Sequence, residues 1–449
     1  MNTNEELFEN VPVPKALATL AIPTIISQLI TMVYNLADTF FVGKTGDPYK
    51  IAASSLVYVL FFALTALSNL FGVGGGSLIS RLLGEGKTEE ARKVASLSIY
   101  GTVIIAALYA TACFAFMKPL MFLLGASEAT LKYAASYTFW VVVVGAIPSM
   151  LNLTFAHILR CIGYSKKASA GLSGGGLLNM ALDPFFMFVV FKPGQEVAAA
   201  AFATMLSNVV VLIYFAFVFL MLKDKTVLNI KLAMASEGTG YIGEVLLVGL
   251  PSFLSSLLNC ISNVVVNKQC ALYGDVPVAA MGIVKKIDML PLNFGMGLCQ
   301  GMIPLIAYNY GAHNYKRMKK VTDFSRLCAL CFAALCVMSF ELLAPGLIKL
   351  FIDEQETVFY GTAFLRICCL ATPLMVINFQ MVYTLQAMGK GIPSLILAVC
   401  RQGLLNIPAV YIMNYFFGLK GIAMAQIAAD ALTMLIAFGI YGRVYRKLN

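Results

Sequence analysis

Asp183 lies well inside a long apolar stretch, in the run Asn179-Met180-Ala181-Leu182-Asp183-Pro184. On a helix, an i, i+4 spacing sets Asn179 and Asp183 on one face, so an amide and a carboxylate reach the same small volume. Pro184 has no backbone N–H, which leaves a carbonyl one turn earlier free for a ligand or water. Asn35 and Asp38, three residues apart in an earlier apolar stretch, share a face in the same way. If the two helices adjoin, four oxygen-bearing side chains converge, and Thr204, in a third stretch, offers a hydroxyl to the same place. A cluster of this kind binds Na⁺ or holds a proton. Asp38, Asn179 and Asp183 are therefore the candidate Na⁺ ligands, with Asn35 and Thr204 completing the candidate coupling site. The plain alternative is that each carboxylate only hydrogen-bonds neighbouring helices. Placing an ionisable residue near the middle of a membrane span costs on the order of 2.5 to 3.5 kcal/mol, and that cost favours function.

The other charges inside apolar stretches fall mostly in the second half: Lys268, Lys285, Lys286, Asp288, Arg366, Arg401 and Asp430. Buried charge is too costly to leave alone, so pairing is expected. Asp288 reaches Lys285 one turn back, and Arg401 and Asp430 form a second possible pair. Arg401, Asn263 and Gln300 are polar enough to line a cavity, and Met289 belongs to a large set of Met, Phe and Tyr residues suited to an adaptable apolar one. With Asp183, these are the candidate substrate contacts. Glue between helices is the competing reading for each.

These residues need helices to hold them. About 60% of the chain is hydrophobic and only 12% is charged, against roughly 25% charged in soluble proteins. Apolar stretches long enough to cross a bilayer are expected at approximately 15–43, 51–80, 93–117, 130–157, 165–191, 196–222, 241–273, 277–308, 318–343, 358–386, 392–416 and 420–443. The fold class is thus an all-α polytopic membrane protein. The net charge of +10 is no sign of nucleic acid. Lys and Arg collect on one set of connections, from Arg81, Lys87, Arg92 and Lys93 to Lys316, Arg317, Lys319, Lys320, Arg443, Arg446 and Lys447, which marks that side and both termini as cytoplasmic. The run after the acidic segment 1–14 is too long for a cleaved signal peptide. Eleven cysteines sit nearly all in apolar spans, where they serve as small apolar fillers, and the CxxC of Cys328 and Cys331 lacks a redox-fold context. Two distant histidines, His157 and His313, make no hydrolase or metal constellation. No cofactor is expected beyond H⁺ or Na⁺ as a coupling ion.

The chain is also written twice. An offset of about 227 residues sets Ile22-Pro23 over Leu250-Pro251, Asn35 over Asn263, Gly74 over Gly301, Gly84 over Gly311 and Leu177-Leu178-Asn179 over Leu404-Leu405-Asn406. The asparagines occur in both copies, whereas Asp38 faces Val266 and Asp183 faces Val410. An even number of spans per copy gives both the same orientation, as two six-helix bundles related by a pseudo-two-fold axis along the membrane normal. The expected division is 1–222 for the first bundle with the coupling site, 223–240 for a cytoplasmic linker and 241–449 for the second bundle. Glycines at Gly72, Gly74, Gly75 and Gly76, and at Gly297 and Gly301, lack the Gly-Lys-Ser/Thr of a phosphate loop and read as close helix contacts.

These features resemble the multidrug and toxic compound extrusion (MATE) family over essentially the whole chain. The carriers of the resemblance are the segments Asn69-Leu70-Phe71-Gly72-Val73-Gly74, Ser80-Arg81-Leu82-Leu83-Gly84, Pro304-Leu305-Ile306-Ala307-Tyr308-Asn309 and Asn179 to Pro184. The likeness is to the multidrug exporters of its DinF-like branch. It implies a bacterial inner-membrane antiporter, with no catalytic residues, expelling amphipathic and often cationic small molecules in exchange for H⁺ or Na⁺. It also implies coupling residues at Asp38 and Asp183 with Asn179 beside them. Membrane lipids are the expected surroundings, nucleic acid is not a partner, and one chain suffices for the mechanism. Rival readings are a flippase for lipid-linked precursors, a metabolite exporter of the same superfamily, and a major facilitator carrier, whose Gly-Asp-Arg signature is absent after the second span.

Overall fold

The computed structural model describes residues 3–45, 47–223 and 225–446; Asp224 and Lys447 lie outside them. The described residues form helices and no strands. Among the described residues nine helices are long and apolar enough to cross a membrane, and two more spans are helix pairs bent by 49° and 44°. The last of the nine, Gly391–Arg446, is itself two helices divided at Gly418, whose φ of 56° no α-helix accommodates. Twelve spans result, as the apolar stretches require.

In chain order they are α1 (Val13–Gly43), α2 (Pro48–Gly84), α3 (Thr88–Ala115), α4 (Glu128–Val144 and Ala146–Cys161), α5 (Ser165–Val190) and α6 (Glu196–Leu222). The second six are α7 (Ile242–Ala271), α8 (Asp275–Gly311), α9 (Tyr315–Lys349), α10 (Gln355–Cys369 and Thr372–Ala387), α11 (391–417) and α12 (419–446). Local chemistry starts them where it should. Asp47 accepts from the Tyr49 amide ahead of α2, with Pro48 in the first helical turn, and Ser127 and Thr130 form a reciprocal cap before α4. The connection from α6 to α7 contains a short helix, Leu232–Glu237, and a 3₁₀ turn, Gly238–Tyr241.

The most extensive helix pairings include α2 with α7 and α1 with α8, each joining one half of the chain to the other, and the two pairings correspond under the repeat. Small residues permit them. A methyl on Gly84 of α2 would collide with the Tyr308 carbonyl of α8, and one on Gly311 of α8 would collide with the Arg81 carbonyl of α2. Arg81 and Tyr308 are themselves equivalent in the repeat, so the contact is reciprocal. Helix backbones touch where no hydrophobic driving force operates between helices in lipid. Polar bonds flank the seam: Arg81 to Glu244 at 2.7 Å, Arg160 to Gln300 at 3.0 Å and the Ser77 hydroxyl to the Gln386 carbonyl at 2.8 Å. Outward, Leu108, Phe114, Leu220, Leu335, Leu342 and Leu435 stand exposed, as a lipid-facing belt demands.

Each half also lends its lead-in to the other. A helix at Thr3–Glu9 precedes α1 yet seats Phe8 on Tyr308 of α8, ring centroids 5.0 Å apart, while Arg317 of α9 and Asn309 of α8 donate to the Phe8 carbonyl. The segment preceding α7 grips α3: Ser96 and Tyr100 donate to the carbonyls of Asn229 and Ile230, and Lys93 pairs with Glu237 at 3.1 Å.

Candidate functional site

The polar cluster forms where α1, α5 and α6 adjoin. Gly176 admits Tyr34 of α1 against α5, where an added methyl would stand 3.1 Å from the ring. Asn179 then spans two helices, donating from Nδ2 to Asp183 Oδ1 at 3.1 Å and to Thr204 Oγ1 at 3.3 Å. The Thr204 hydroxyl in turn donates to the Ala200 carbonyl at 3.1 Å, and Asn208 donates to the Thr204 carbonyl at 2.9 Å. Asp183 is fully buried, and Asp38 lies near enough for direct charge–charge interaction with it. Asn35 is half-buried one turn before Asp38 on α1. Immediately after Pro184 the helix loosens into a π-turn, Phe186–Val190, an irregularity that recurs at functional sites.

Among the described residues, three oxygens in this cluster have no hydrogen-bond partner: Asp38 Oδ1, Asn179 Oδ1 and Asp183 Oδ2. Leaving a buried acceptor unpaired costs about 1 to 3 kcal/mol, more for a charged group. All three are acceptors, which a hydrogen-bond donor such as water, a proton or a hard cation that takes oxygen ligands would satisfy. Among the described residues no group of three His, Cys, Asp or Glu side chains gathers, and softer metal chemistry has no ligand set here. The phenols of Tyr34 and Tyr137 lie within electrostatic range of both carboxylates. Sequence reasoning passed over both tyrosines. Tyr34 stands four residues before Asp38 on the same face and was legible; nothing in the chain announces that α4 brings Tyr137 to α1.

The candidate residues of the second half have separate surroundings. Arg401 sits in another π-turn, Cys400–Leu404, and grips Asp430 with Nε to Oδ1 at 2.6 Å and a second nitrogen to Oδ2 at 3.3 Å, so the expected pair is formed. The Phe379 ring covers the guanidinium at 4.5 Å, and Gln426 donates to Asp430 at 3.1 Å. The other expected pair is not formed: among the described residues Lys285 has no carboxylate within 4 Å, and Asp288 Oδ1 is buried without a partner. One turn of helix sets the side chains on a common face without making them point at each other. Gln300 accepts from Arg160 in the seam, Asn263 donates to Asn259 at 3.0 Å, and Met289 is half-buried with its carbonyl accepting from Asn293. Arg366 faces Glu341 at 3.6 Å. His157 is buried against Gly72, and His313 lies in the turn between α8 and α9.

The MatE family model matches residues 23–185 and again 251–412, one match in each half of the repeat. The multidrug export protein MepA of Staphylococcus aureus (strain MSSA476) is 32% identical over 430 residues, 96% of this chain and 94% of that protein. MepA of Staphylococcus saprophyticus is 31% identical over the same share. Among solved structures, a MATE transporter in complex with MaL6 has a TM-score of 0.92 at 26% identity, covering 100% of this chain and 99% of that one. The outward-facing conformation of a multidrug resistance MATE family transporter has the same score, identity and coverage. A MOP superfamily transporter from Pyrococcus furiosus, described as having a binding pocket of reverse polarity, reaches 0.90 over 99% of this chain and 98% of that one. Twelve spans in two repeated halves, a family match in each half and relatives alike from end to end make this chain a member of the MATE family of membrane transporters, and not an enzyme.

Proposed function

We propose that this protein is a secondary antiporter that expels amphipathic, often cationic compounds across a bacterial inner membrane in exchange for H⁺ or Na⁺. The observation that carries the reading is the trio of unpartnered oxygens on Asp38, Asn179 and Asp183, held by Thr204 and flanked by Tyr34. Residues 1–222 form the half that couples, residues 241–449 the half that works against it, and residues 223–240 the cytoplasmic connection. Both termini lie on the cytoplasmic side, where the basic residues collect. Occupancy of the cluster by the ion changes how α1 and α5 pack, and drug and ion each prefer a different one of two states, which is what exchange requires. The names of the MepA relatives support multidrug cargo.

The test is ethidium efflux from vesicles containing purified protein under separately imposed H⁺ and Na⁺ gradients. The expected result is efflux driven by one gradient. Ethidium movement that ignores both gradients would refute antiport, and an absence of movement with a labelled lipid-linked precursor translocated instead would favour the flippase reading.

A further inference from the structure

At the end of the molecule where the N-terminus lies, the two halves differ in charge at equivalent positions. In the register that pairs Gly84 with Gly311, Glu89 and Glu90 of α3 correspond to Lys316 and Arg317 of α9. The cations of the first half are matched: Lys87 with Glu85 at 2.7 Å, Arg92 with Glu89 at 2.9 Å and Lys93 with Glu237 at 3.1 Å. Among the described residues Lys316, Arg317 and Lys320 have no carboxylate within 4 Å. These three cations line an open cavity of about 560 Å³ with Glu9, Pro12 and Pro14. Glu9 contributes one negative charge against these three cations, near enough to act on Arg317, and its carboxylate accepts from the Tyr308 hydroxyl at 2.8 Å, which leaves an excess of positive charge. Arg317 builds the wall by donating to the Phe8 and Val11 carbonyls at 2.7 and 2.5 Å. Lys316 and Lys320, both exposed and one turn apart, remain for a ligand.

Beyond Asp323, which is exposed on this face and pairs with Arg326 at 3.7 Å, the same face of α9 carries exposed apolar side chains: Leu327, Leu335, Met338 and Leu342. A charged head position above an apolar track matches a phospholipid, whose headgroup and acyl chain would both find a partner. We propose that this cavity binds the phosphate of one anionic phospholipid, with Lys316 and Lys320 on the headgroup, an acyl chain along Leu327 toward Leu335, and the lead-in segment around Pro12 and Pro14 as the far wall. A bound headgroup holds the lead-in against α9, so anionic lipid secures the contact by which the chain's first residues grip its second half. The proposal rests on the reading above only in assigning the site to the cytoplasmic leaflet, and its test does not involve transport.

The test is native mass spectrometry of the delipidated full chain titrated with phosphatidylglycerol and, separately, phosphatidylcholine. The expected result is a tightly retained phosphatidylglycerol that weakens about five-fold for each lysine removed in Lys316→Gln/Lys320→Gln, as roughly 1 kcal/mol per surface cation dictates. Lys87→Gln/Arg92→Gln should change nothing, and Lys316→Arg/Lys320→Arg should bind as the unchanged protein does. On the unchanged protein, raising salt from roughly 0.05 to 0.5 M should erode the preference for the anionic lipid. Equal retention of both lipids, a preference that survives Lys316→Gln/Lys320→Gln, or displacement of the lipid by inorganic phosphate at equal concentration would overturn the proposal.

Discussion

At the residue scale, the buried oxygens without partners on Asp38, Asn179 and Asp183 decide what each substitution should do. Asp183→Asn keeps the volume and supplies a donor, so it satisfies the cluster internally and removes the need for an ion. The protein should fold with an unchanged or higher unfolding temperature while gradient-driven efflux falls at least tenfold, measured by thermal unfolding and vesicle assay together. Thr204→Val takes away only one acceptor of the Asn179 amide, a bond worth about 1 kcal/mol, and should slow efflux about five-fold. The Arg401–Asp430 pair makes a different prediction, one of stability. Arg401→Leu leaves Asp430 buried and unpaired, at a cost of about 3 to 5 kcal/mol, whereas Arg401→Leu/Asp430→Leu should recover most of that loss. Equal unfolding temperatures for the single and double variants would show that the pair is not the buried unit described above.

At the element scale, the reciprocal glycine contact is the most sharply constrained feature. Gly84→Ala or Gly311→Ala forces α2 and α8 apart at a carbonyl that cannot retreat, and overpacking of this kind costs about 1 to 3 kcal/mol. The seam should open more readily, so a cysteine placed at Ser77 should react faster with a soluble maleimide in either variant than in the unchanged background. Gly243→Ala, where a methyl meets nothing, is the matched control. A second prediction comes from the turn after α8. Gly86 after α2 takes the left-handed conformation at φ 75°, and its equivalent in the repeat is His313, at φ 55°, the one non-glycine with positive φ among the described residues. The imidazole is held by the Tyr315 hydroxyl at 2.9 Å. His313→Gly relieves about 1 kcal/mol of backbone strain and should raise the unfolding temperature slightly.

At the scale of the whole molecule, the spans and their doubling were legible because membrane helices announce themselves by length and apolarity, and the repeat by recurring Asn, Gly and Pro. Even the division at Gly418 falls between the two stretches read at 392–416 and 420–443. What the chain conceals is contact between distant elements. The lead-in helix is seven residues long, too short for a periodic signal, and its hold on the other half depends on Tyr308, some three hundred residues away. Gln300 reads as cavity-lining by polarity alone, yet Arg160 claims it from the other half. Polarity marks a residue as needing a partner, and only packing decides which partner it gets.

The central claim is that the cluster around Asp38 and Asp183 exchanges an ion for drug, and running the cycle backwards tests it most directly. Vesicles would be loaded with ethidium with no ion gradient imposed, and internal pH and ²²Na⁺ followed as drug moves down its own gradient. The account predicts opposed movement of H⁺ or Na⁺, tied to drug flux and lost in Asp38→Asn and Asp183→Asn. Drug flux with no ion movement, or ion movement undiminished in both variants, would contradict it.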